Sequence, residues 1–323
     1  MKVPKYEVAD LLRVQLSQLP ELCANTWQLR TLYALTKCRT AALGGHIDRC
    51  NDNDCGQLHI SYNSCRNRHC PKCQGQQSGK WVEARVGELL EVPYYHLVFT
   101  LPGELNQLAL HKPRLIYSLL FKTAWTVVSG FAANPKYLGA KTGMIAVLHT
   151  WGQNLSLHPH LHCIVPGGGI GENGKWKSLP KKGKYLFPVK AMSRVFRAKF
   201  VAALRKHTDQ PTDFYQKLFK KDWVVYCKRP FKTPYHVISY LGRYTHKIAI
   251  NNHRIVGIND QKVSFTAKNY RKGGQKQVLS LSQREFIRRF SQHILPKGFV
   301  RIRHYGFLSS SGKRLYLKAV SYT

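Results

Sequence analysis

The sequence predicts an α+β protein in which an N-terminal helical, cysteine-rich module precedes a central, mainly antiparallel sheet flanked by helices. Apolar residues recur at helical spacing over residues 6–44 and 115–131. Runs rich in β-branched and aromatic residues, bounded by Pro and Gly, cover residues 94–101, 144–151 and 160–165. Five cysteines crowd between Cys50 and Cys73, ahead of the first strand. These patterns divide the chain into residues 1–92, 93–255 and 256–323.

The first division, residues 1–92, is predicted to be a helical lead-in and a zinc-binding domain. The helical pattern is interrupted at Pro20 and closed by two glycines at 44–45. Residues 46–79 are polar and loop-like, and helical character returns over 80–90. A small metal module supported by helices is therefore expected.

The second division, residues 93–255, is predicted to hold the catalytic sheet. Two strands, 144–151 and 160–165, are joined by a short polar loop. A helix is expected over 191–206, a strand over 223–227 and a further helical segment over 236–245. Beyond about residue 255, short strands and basic loops alternate with a helix at 283–293, and this basic C-terminal region is expected to bind DNA.

The charge balance indicates a polyanionic partner. Lys and Arg total 51 against 16 Asp and Glu in 323 residues, and the excess of +35 is spread along the chain. Hydrophobic residues make up 43% and aromatic residues 11%, which excludes a disordered basic protein. Basic clusters such as 181–184 and 220–221 together predict strongly salt-dependent binding of nucleic acid.

The N-terminal sequence and the cysteine count predict a cytoplasmic protein. The first residues lack an apolar stretch with a small-residue cleavage site, and no window reaches the roughly 18 apolar residues that span a bilayer. No membrane partner is therefore expected. Nine cysteines, an odd number, suit a reducing compartment and a metal site better than a disulfide framework.

The cysteine cluster predicts a structural zinc site. Cys50 and Cys55 form one close pair, and Cys70 and Cys73 form a second in the tight Cys-x-x-Cys spacing. Each short loop can bend two thiolates toward one tetrahedral ion. Plausible substitutes, or members of a second site, are Cys65, His69, His59 and His46.

A histidine pair and a tyrosine pair are the candidates for catalysis. His160 and His162 are separated by one apolar residue in a predicted strand, so both imidazoles point to one face and can chelate a metal. Tyr240 and Tyr244 lie one turn apart if their segment is helical, and both can then reach the same point. Each pattern alone also suits ordinary packing, and it is their combination that favours a site.

At these residues the sequence resembles the two-tyrosine transposases of the HUH superfamily, named for His-hydrophobic-His. It is most similar to the rolling-circle insertion-sequence transposases that carry an N-terminal zinc-binding domain. The resemblance rests on the stretch Asn63–Gln74, the strand with His160 and His162, and the segment with Tyr240 and Tyr244, in the family's order.

The resemblance implies a single-strand DNA endonuclease and strand transferase that needs no ATP. It implies that His160 and His162 hold Mg²⁺ or Mn²⁺, that a third polar ligand completes the site, and that a tyrosine forms a 5′-phosphotyrosine bond. Gln153 is the preferred third ligand, with His149 and His158 as alternatives. The expected partners are single-stranded DNA at the ends of a mobile element and target DNA.

Two other functions remain open at this point. A replication initiator of the same superfamily would share the histidines and tyrosines but would not be expected to carry the cysteine module. A non-catalytic zinc protein that binds DNA or RNA would use the same histidines and tyrosines only for packing.

Overall fold

The structure of the protein is a computed structural model. It describes residues 4–52, 54–74, 90–179, 186–228, 231, 237, 242, 248–269 and 272–314. The chain divides into two compact units. The first contains residues 1–80, 151–157 and 246–297, and the second contains 81–150, 158–245 and 298–323.

The described helices are short apart from two in the second unit. They are α1 (Val8–Val14), α2 (Thr26–Thr36), α3 (Asn106–His111), α4 (Pro113–Ala133), α5 (Val189–Arg205), α6 (Thr212–Phe219) and α7 (Gln283–Gln292). The described strands are β1 (Gly45–Arg49), β2 (Leu58–Tyr62), β3 (Tyr94–Thr100), β4 (Gly143–Trp151), β5 (Leu157–Pro166), β6 (Gly168–Ile170), β7 (Trp176–Ser178), β8 (Val225–Cys227), β9 (Ile255–Ile258), β10 (Lys262–Asn269), β11 (Gln275–Ser282) and β12 (Ile302–Gly306).

The first unit packs N-terminal helices together with a three-stranded antiparallel sheet, β11-β10-β9. Local sequence starts its helices: the Asn25 side chain accepts a hydrogen bond from the Gln28 amide before α2, and Ser282 accepts one from Glu285 before α7. The shared core includes Leu11, Leu12, Leu32, Leu35, Val263, Phe265, Phe286 and Phe290. An additional antiparallel hairpin, β1–β2, is exposed along almost its whole length.

The second unit is built on a five-stranded antiparallel sheet in the order β12-β4-β5-β3-β8. The register pairs Phe99 with Leu161, and these side chains share one face of the sheet. The Phe99 ring packs on Phe196 of α5, with 5.1 Å between the ring centroids, so helices cover this face. Val98 pairs with His162 and Thr100 with His160, which places both histidines on the opposite face.

The predicted fold class is confirmed, since helices flank a central antiparallel sheet and a cysteine cluster lies in the N-terminal region. The histidine strand is longer than predicted and runs from Leu157 to Pro166. The expected C-terminal region 256–323 does not form a unit of its own, because residues 256–297 join the first unit and 298–323 the second. A chain that passes from one unit to the other five times cannot be divided by composition along the sequence.

Helix α4 is long and apolar enough to cross a membrane by length and composition. Its buried side chains nevertheless include Leu120, Phe121, Ala124 and Val128, and it contacts α5. A buried core helix passes the same test of length and hydropathy, so α4 gives only weak indication of a membrane.

Candidate metal centres

Four cysteine side chains of the first unit converge on one point. Their sulfur atoms all lie within 4.8 Å of one another, and the four are Cys38, Cys65, Cys70 and Cys73. The Sγ of Cys38 is 3.5 Å from that of Cys70 and 3.6 Å from that of Cys73. Four thiolates in this arrangement suit a tetrahedral structural zinc ion.

The surroundings of this cluster also fit a bound cation. Burial raises the pKa of the Cys38 thiol to about 11, so proton release from the cluster requires compensation by positive charge. The Cys65 amide donates a hydrogen bond to the Cys38 sulfur at 3.4 Å. Lys72 donates to the Cys38 carbonyl at 3.4 Å and pairs with Glu7 at 2.6 Å, which fixes a positive charge beside the cluster.

Cys50 and Cys55 are not in this cluster, so the predicted ligand set needs correction. Both are exposed, at the far end of the β1–β2 hairpin. The Asn63 amide donates to the Gly44 carbonyl at the base of that hairpin, and the Arg39 amide donates to the Asn63 carbonyl. These bonds hold the chain segments next to Cys38 and Cys65 together at the base of the hairpin. The hairpin has five residue pairs, and a strand rises about 3.4 Å per residue, so Cys50 and Cys55 lie roughly 17 Å from that base.

Of the additional candidates, Cys65 belongs to the cluster and His69 does not. His69 is buried close by, and its backbone amide donates to the Asn67 side chain at 2.9 Å. Sequence reasoning missed Cys38 because it lies 12 residues before the crowded segment. Its signal was its position just after the end of α2, where the chain turns back toward the cysteines.

A second cluster, of three histidines, lies on the sheet of the second unit. One ring nitrogen from each of His149, His160 and His162 lies within 4.8 Å of the other two. The ring centroid of His162 is 4.6 Å from that of His149 and 4.9 Å from that of His160. His149 and His162 are buried, and His160 is partly exposed, so the cluster is open to a ligand on one side.

Hydrogen bonds determine which ring nitrogen of His160 and of His162, both in β5, can bind a metal. The Nδ1 of His160 lies 2.7 Å from the His158 carbonyl, which can only accept, so this nitrogen carries the proton and Nε2 has the lone pair. The Nδ1 of His162 lies 2.8 Å from Nε2 of His96. Burial, and then the charge of Lys228, lower the pKa of His96 to about 4. A neutral His96 can accept a hydrogen bond from the Nδ1–H of His162, which again leaves Nε2 of His162 for a metal.

Gln153, the preferred third ligand by resemblance, belongs to the first unit, whereas the three histidines belong to the second. It follows β4, and its carbonyl accepts a hydrogen bond from Arg254. His149, named as an alternative, lies in the cluster with His160 and His162 because β4 is adjacent to β5 in the sheet. His158 is exposed and contributes its carbonyl to His160. Sequence reasoning did not assign a role to His96.

Tyr240 and Tyr244 lie outside the described residues. Two helical residues near them, Val237 and Gly242, are described and buried. Val237 packs with Tyr94, Val147 and Ile164. Ile164 is two residues beyond His162 in β5 and pairs with His96, so Val237 contacts the histidine face of the sheet.

The fold and these two centres define a strongly basic protein that combines a four-cysteine zinc module with a histidine cluster on an antiparallel sheet. Residues 143–314 match the Y2_Tnp family, whose description is "Putative transposase". Residues 14–101 match the Zn_Tnp_IS91 family, described as "Transposase zinc-binding domain". The chain therefore belongs to this transposase family, and its N-terminal part carries the zinc-binding domain of IS91-type transposases.

Two curated proteins are similar to nearly the whole chain. One, named "Putative transposase y4qJ", from Sinorhizobium fredii, is 45% identical over 94% of this chain and 80% of its own length. The other, named "Transposase for insertion sequence element IS801", from Pseudomonas savastanoi pv. phaseolicola, is 29% identical over 91% of this chain and 73% of its own. No solved structure matches the chain.

Proposed function

We propose that this transposase is a metal-dependent endonuclease and strand transferase that cuts single-stranded DNA at the ends of a mobile element. The observation that carries the proposal is the cluster of His149, His160 and His162 on the face of the sheet opposite α5. The similarity to a protein named as the transposase of insertion sequence element IS801 supports DNA transposition as the process. A replication initiator is disfavoured because residues 14–101 form a transposase zinc-binding domain.

The three histidines are proposed to hold Mg²⁺ or Mn²⁺, with His149 in place of Gln153 as the third ligand. Such an ion polarises a scissile phosphate and stabilises the charge that develops on it. Three neutral imidazoles add no negative charge to retain a hard cation, so the ion should be exchangeable and recruited together with the DNA phosphate. His158 fixes His160 through its carbonyl, and His96 fixes His162.

Tyr240 and Tyr244 are proposed as the two nucleophiles. The contacts of Val237 with the histidine face support this, since Tyr240 follows it by three residues. In the first cut a phenolic oxygen forms a bond to phosphorus as the bond from phosphorus to the 3′-oxygen breaks. The phenol loses its proton, the leaving oxygen gains one, and the products are a 5′-phosphotyrosine and a free 3′-hydroxyl. One ester replaces another, so no ATP is needed.

The proposed partners are single-stranded DNA at the element's ends and the target DNA. The charge of +35 on 323 residues supports binding through many phosphate contacts. The proposed place of action is the bacterial cytoplasm, at the nucleoid, where both DNA partners and reducing conditions for the thiols are available.

The test of this proposal is cleavage of labelled oligonucleotides that carry each strand of the element's ends. We expect strand-specific cuts in Mg²⁺ or Mn²⁺, none in chelator, and much weaker cutting of the same sequences as duplexes. Equal cutting of duplex and single strand would contradict single-strand specificity. Cutting that persists in chelator would contradict the metal's role.

Replacing both tyrosines with phenylalanine is expected to abolish covalent attachment to DNA. The Tyr240→Phe and Tyr244→Phe single variants should separate the first cut from strand exchange, because only one phenol can lie in line with the phosphate at each step. Denaturing gels of protein incubated with end-labelled single strands measure the adduct. If the double variant still forms the adduct, another tyrosine must be the nucleophile. Tyr226 is an exposed strand residue, and Tyr226→Phe is the matched control.

Replacing His96 is expected to weaken metal binding without removing a ligand. His96→Ala takes away the hydrogen-bond partner of His162, and loss of such a partner typically costs about 10–100-fold in metal affinity or activity. The Mn²⁺ concentration that gives half-maximal cleavage should therefore rise, with recovery at high Mn²⁺. His96→Gln, whose side chain can still accept a hydrogen bond, should be milder. An unchanged metal dependence in His96→Ala would contradict this positioning role.

A further inference from the structure

The β1–β2 hairpin carries two cysteines that the four-cysteine cluster does not use. Cys50 and Cys55 are both exposed, at the end of the hairpin away from its base. The Cys50 amide donates to the Gln57 carbonyl at 2.9 Å, which is the last hydrogen bond between the two sides of the hairpin before its loop. The Cys55 thiol lies 4.0 Å from the side-chain oxygen of Gln57, the residue whose carbonyl accepts from the Cys50 amide. A pair of thiols is therefore presented at the surface.

The described residues between the two cysteines are joined by local hydrogen bonds. The Cys55 amide donates to the Asp52 carbonyl at 3.2 Å, and the Asp54 amide donates to the Asp52 side chain at 3.1 Å. Gly56 follows directly with φ of +55°, a left-handed conformation that glycine adopts without strain. The chain thereby turns at once into β2.

A histidine with an oriented ring lies on the same side of the hairpin. The register pairs His59 with Asp48 and the amide bond pairs Cys50 with Gln57, so these four side chains share one face. The Nδ1 of His59 lies 3.2 Å from the Ser61 hydroxyl and 4.0 Å from the Asp48 carboxylate. A carboxylate and a hydroxyl at Nδ1 leave Nε2 as the ligating nitrogen, as in metal sites where a carboxylate orients the histidine.

The hairpin also lacks the packing that would keep it ordered. Its strands have five residues each and, among the described residues, pair only with each other, and almost every residue of them is exposed. Its other face presents Ile47, Leu58, Ile60 and Tyr62 to solvent. An isolated two-stranded hairpin is at best marginally stable in water. A cross-link at its loop end would supply an additional constraint.

We propose that the hairpin end binds a second zinc ion through Cys50, Cys55 and His59, with water in the fourth position. Two thiolates and an imidazole select a borderline-soft ion such as zinc rather than Mg²⁺. Asp48 orients His59 through its contact with Nδ1. This ion is separate from the one at Cys38, Cys65, Cys70 and Cys73, and the proposal does not depend on the nuclease chemistry of the second unit.

Zinc content of the full-length protein tests the proposal. Protein equilibrated with zinc and then desalted should contain two zinc ions per chain by elemental mass spectrometry. The Cys50→Ser/Cys55→Ser variant should contain one zinc ion. The His59→Asn variant should lose one of its two zinc ions at a chelator concentration at least about tenfold lower than the wild-type protein requires. Cys23→Ser, a cysteine outside both groups, is the matched control and should contain two.

Alkylation of the wild-type chain supplies a readout that does not depend on a variant's folding. Zinc should protect Cys50 and Cys55 from iodoacetamide, and chelator should expose them while Cys38 stays protected. One zinc ion per chain after equilibration, or equal alkylation of Cys50 and Cys55 with and without zinc, would overturn the proposal. Neither measurement includes DNA, so a failure of the proposed cleavage activity would leave both results interpretable.

Discussion

Alanine at His149, His160 or His162 is expected to reduce single-strand cleavage by about 10³-fold or more while single-strand binding is largely kept. A catalytic metal contributes several kcal/mol of transition-state stabilisation, and each 1.36 kcal/mol corresponds to a tenfold change in rate. Binding should persist because affinity for DNA comes mainly from phosphate contacts spread over a chain of charge +35. Cleavage rates and binding isotherms on the same oligonucleotide separate the two effects.

Two neighbouring residues provide matched controls for this experiment. His158→Ala keeps the backbone carbonyl that accepts from His160, so its effect should be small. Gln153→Ala should also be mild, because its contact with Arg254 is made by the backbone carbonyl. If Gln153→Ala were as severe as His160→Ala and His149→Ala were neutral, the third ligand would be Gln153 after all. Full cleavage by His162→Ala would contradict the metal centre itself.

Serine at Cys38 or Cys70 is expected to remove the buried zinc and unfold the N-terminal part of the first unit. Apparent zinc binding in small modules is worth about 10–16 kcal/mol, as large as the roughly 5–15 kcal/mol that stabilises a whole domain. Both thiols are buried and within 3.5 Å of each other, so no exposed side chain can take their place. Thermal unfolding followed by circular dichroism, together with zinc analysis, measures the loss.

Variants of the hairpin cysteines show whether unfolding follows from loss of the buried zinc ion in particular or from loss of any zinc ion. Cys50→Ser/Cys55→Ser should change the melting temperature far less than Cys38→Ser, because both side chains are exposed. The reverse order of stabilities would show that the stabilising zinc is bound by the ligand set predicted from sequence spacing. Cys23→Ser again serves as the control for the loss of a thiol outside both groups.

Local pattern was sufficient to predict most of the fold. The alternation of apolar and polar residues around His160 and His162 predicted a strand with both histidines on one face, and the register confirms that face. The cysteine segment predicted a zinc module, and the family match confirms its presence. Both features depend on residues close together in sequence, where the geometry of a strand or a short loop determines the outcome.

The ligand sets could not be completed in the same way because they depend on pairing between distant residues. Cys38 joins Cys70 because a hairpin closes between them, and sequence spacing favoured the nearer Cys50 instead. His149 joins His162 because β4 lies beside β5, whereas Gln153 was favoured for its place in the connecting turn. His96 reaches His162 through the pairing of β3 with β5, 66 residues apart in sequence. No periodicity within one segment encodes such contacts.

The measurement that tests the central claim most directly is peptide mapping of protein trapped on single-stranded DNA. The wild-type chain is incubated with an oligonucleotide from the element's end and Mn²⁺, denatured, digested and examined by mass spectrometry for a nucleotide-bearing peptide. We predict a 5′-phosphotyrosine on Tyr240 or Tyr244, absent in chelator and absent in His162→Ala. Cleavage without any covalent adduct, or an adduct formed equally by His162→Ala, would contradict the proposed mechanism.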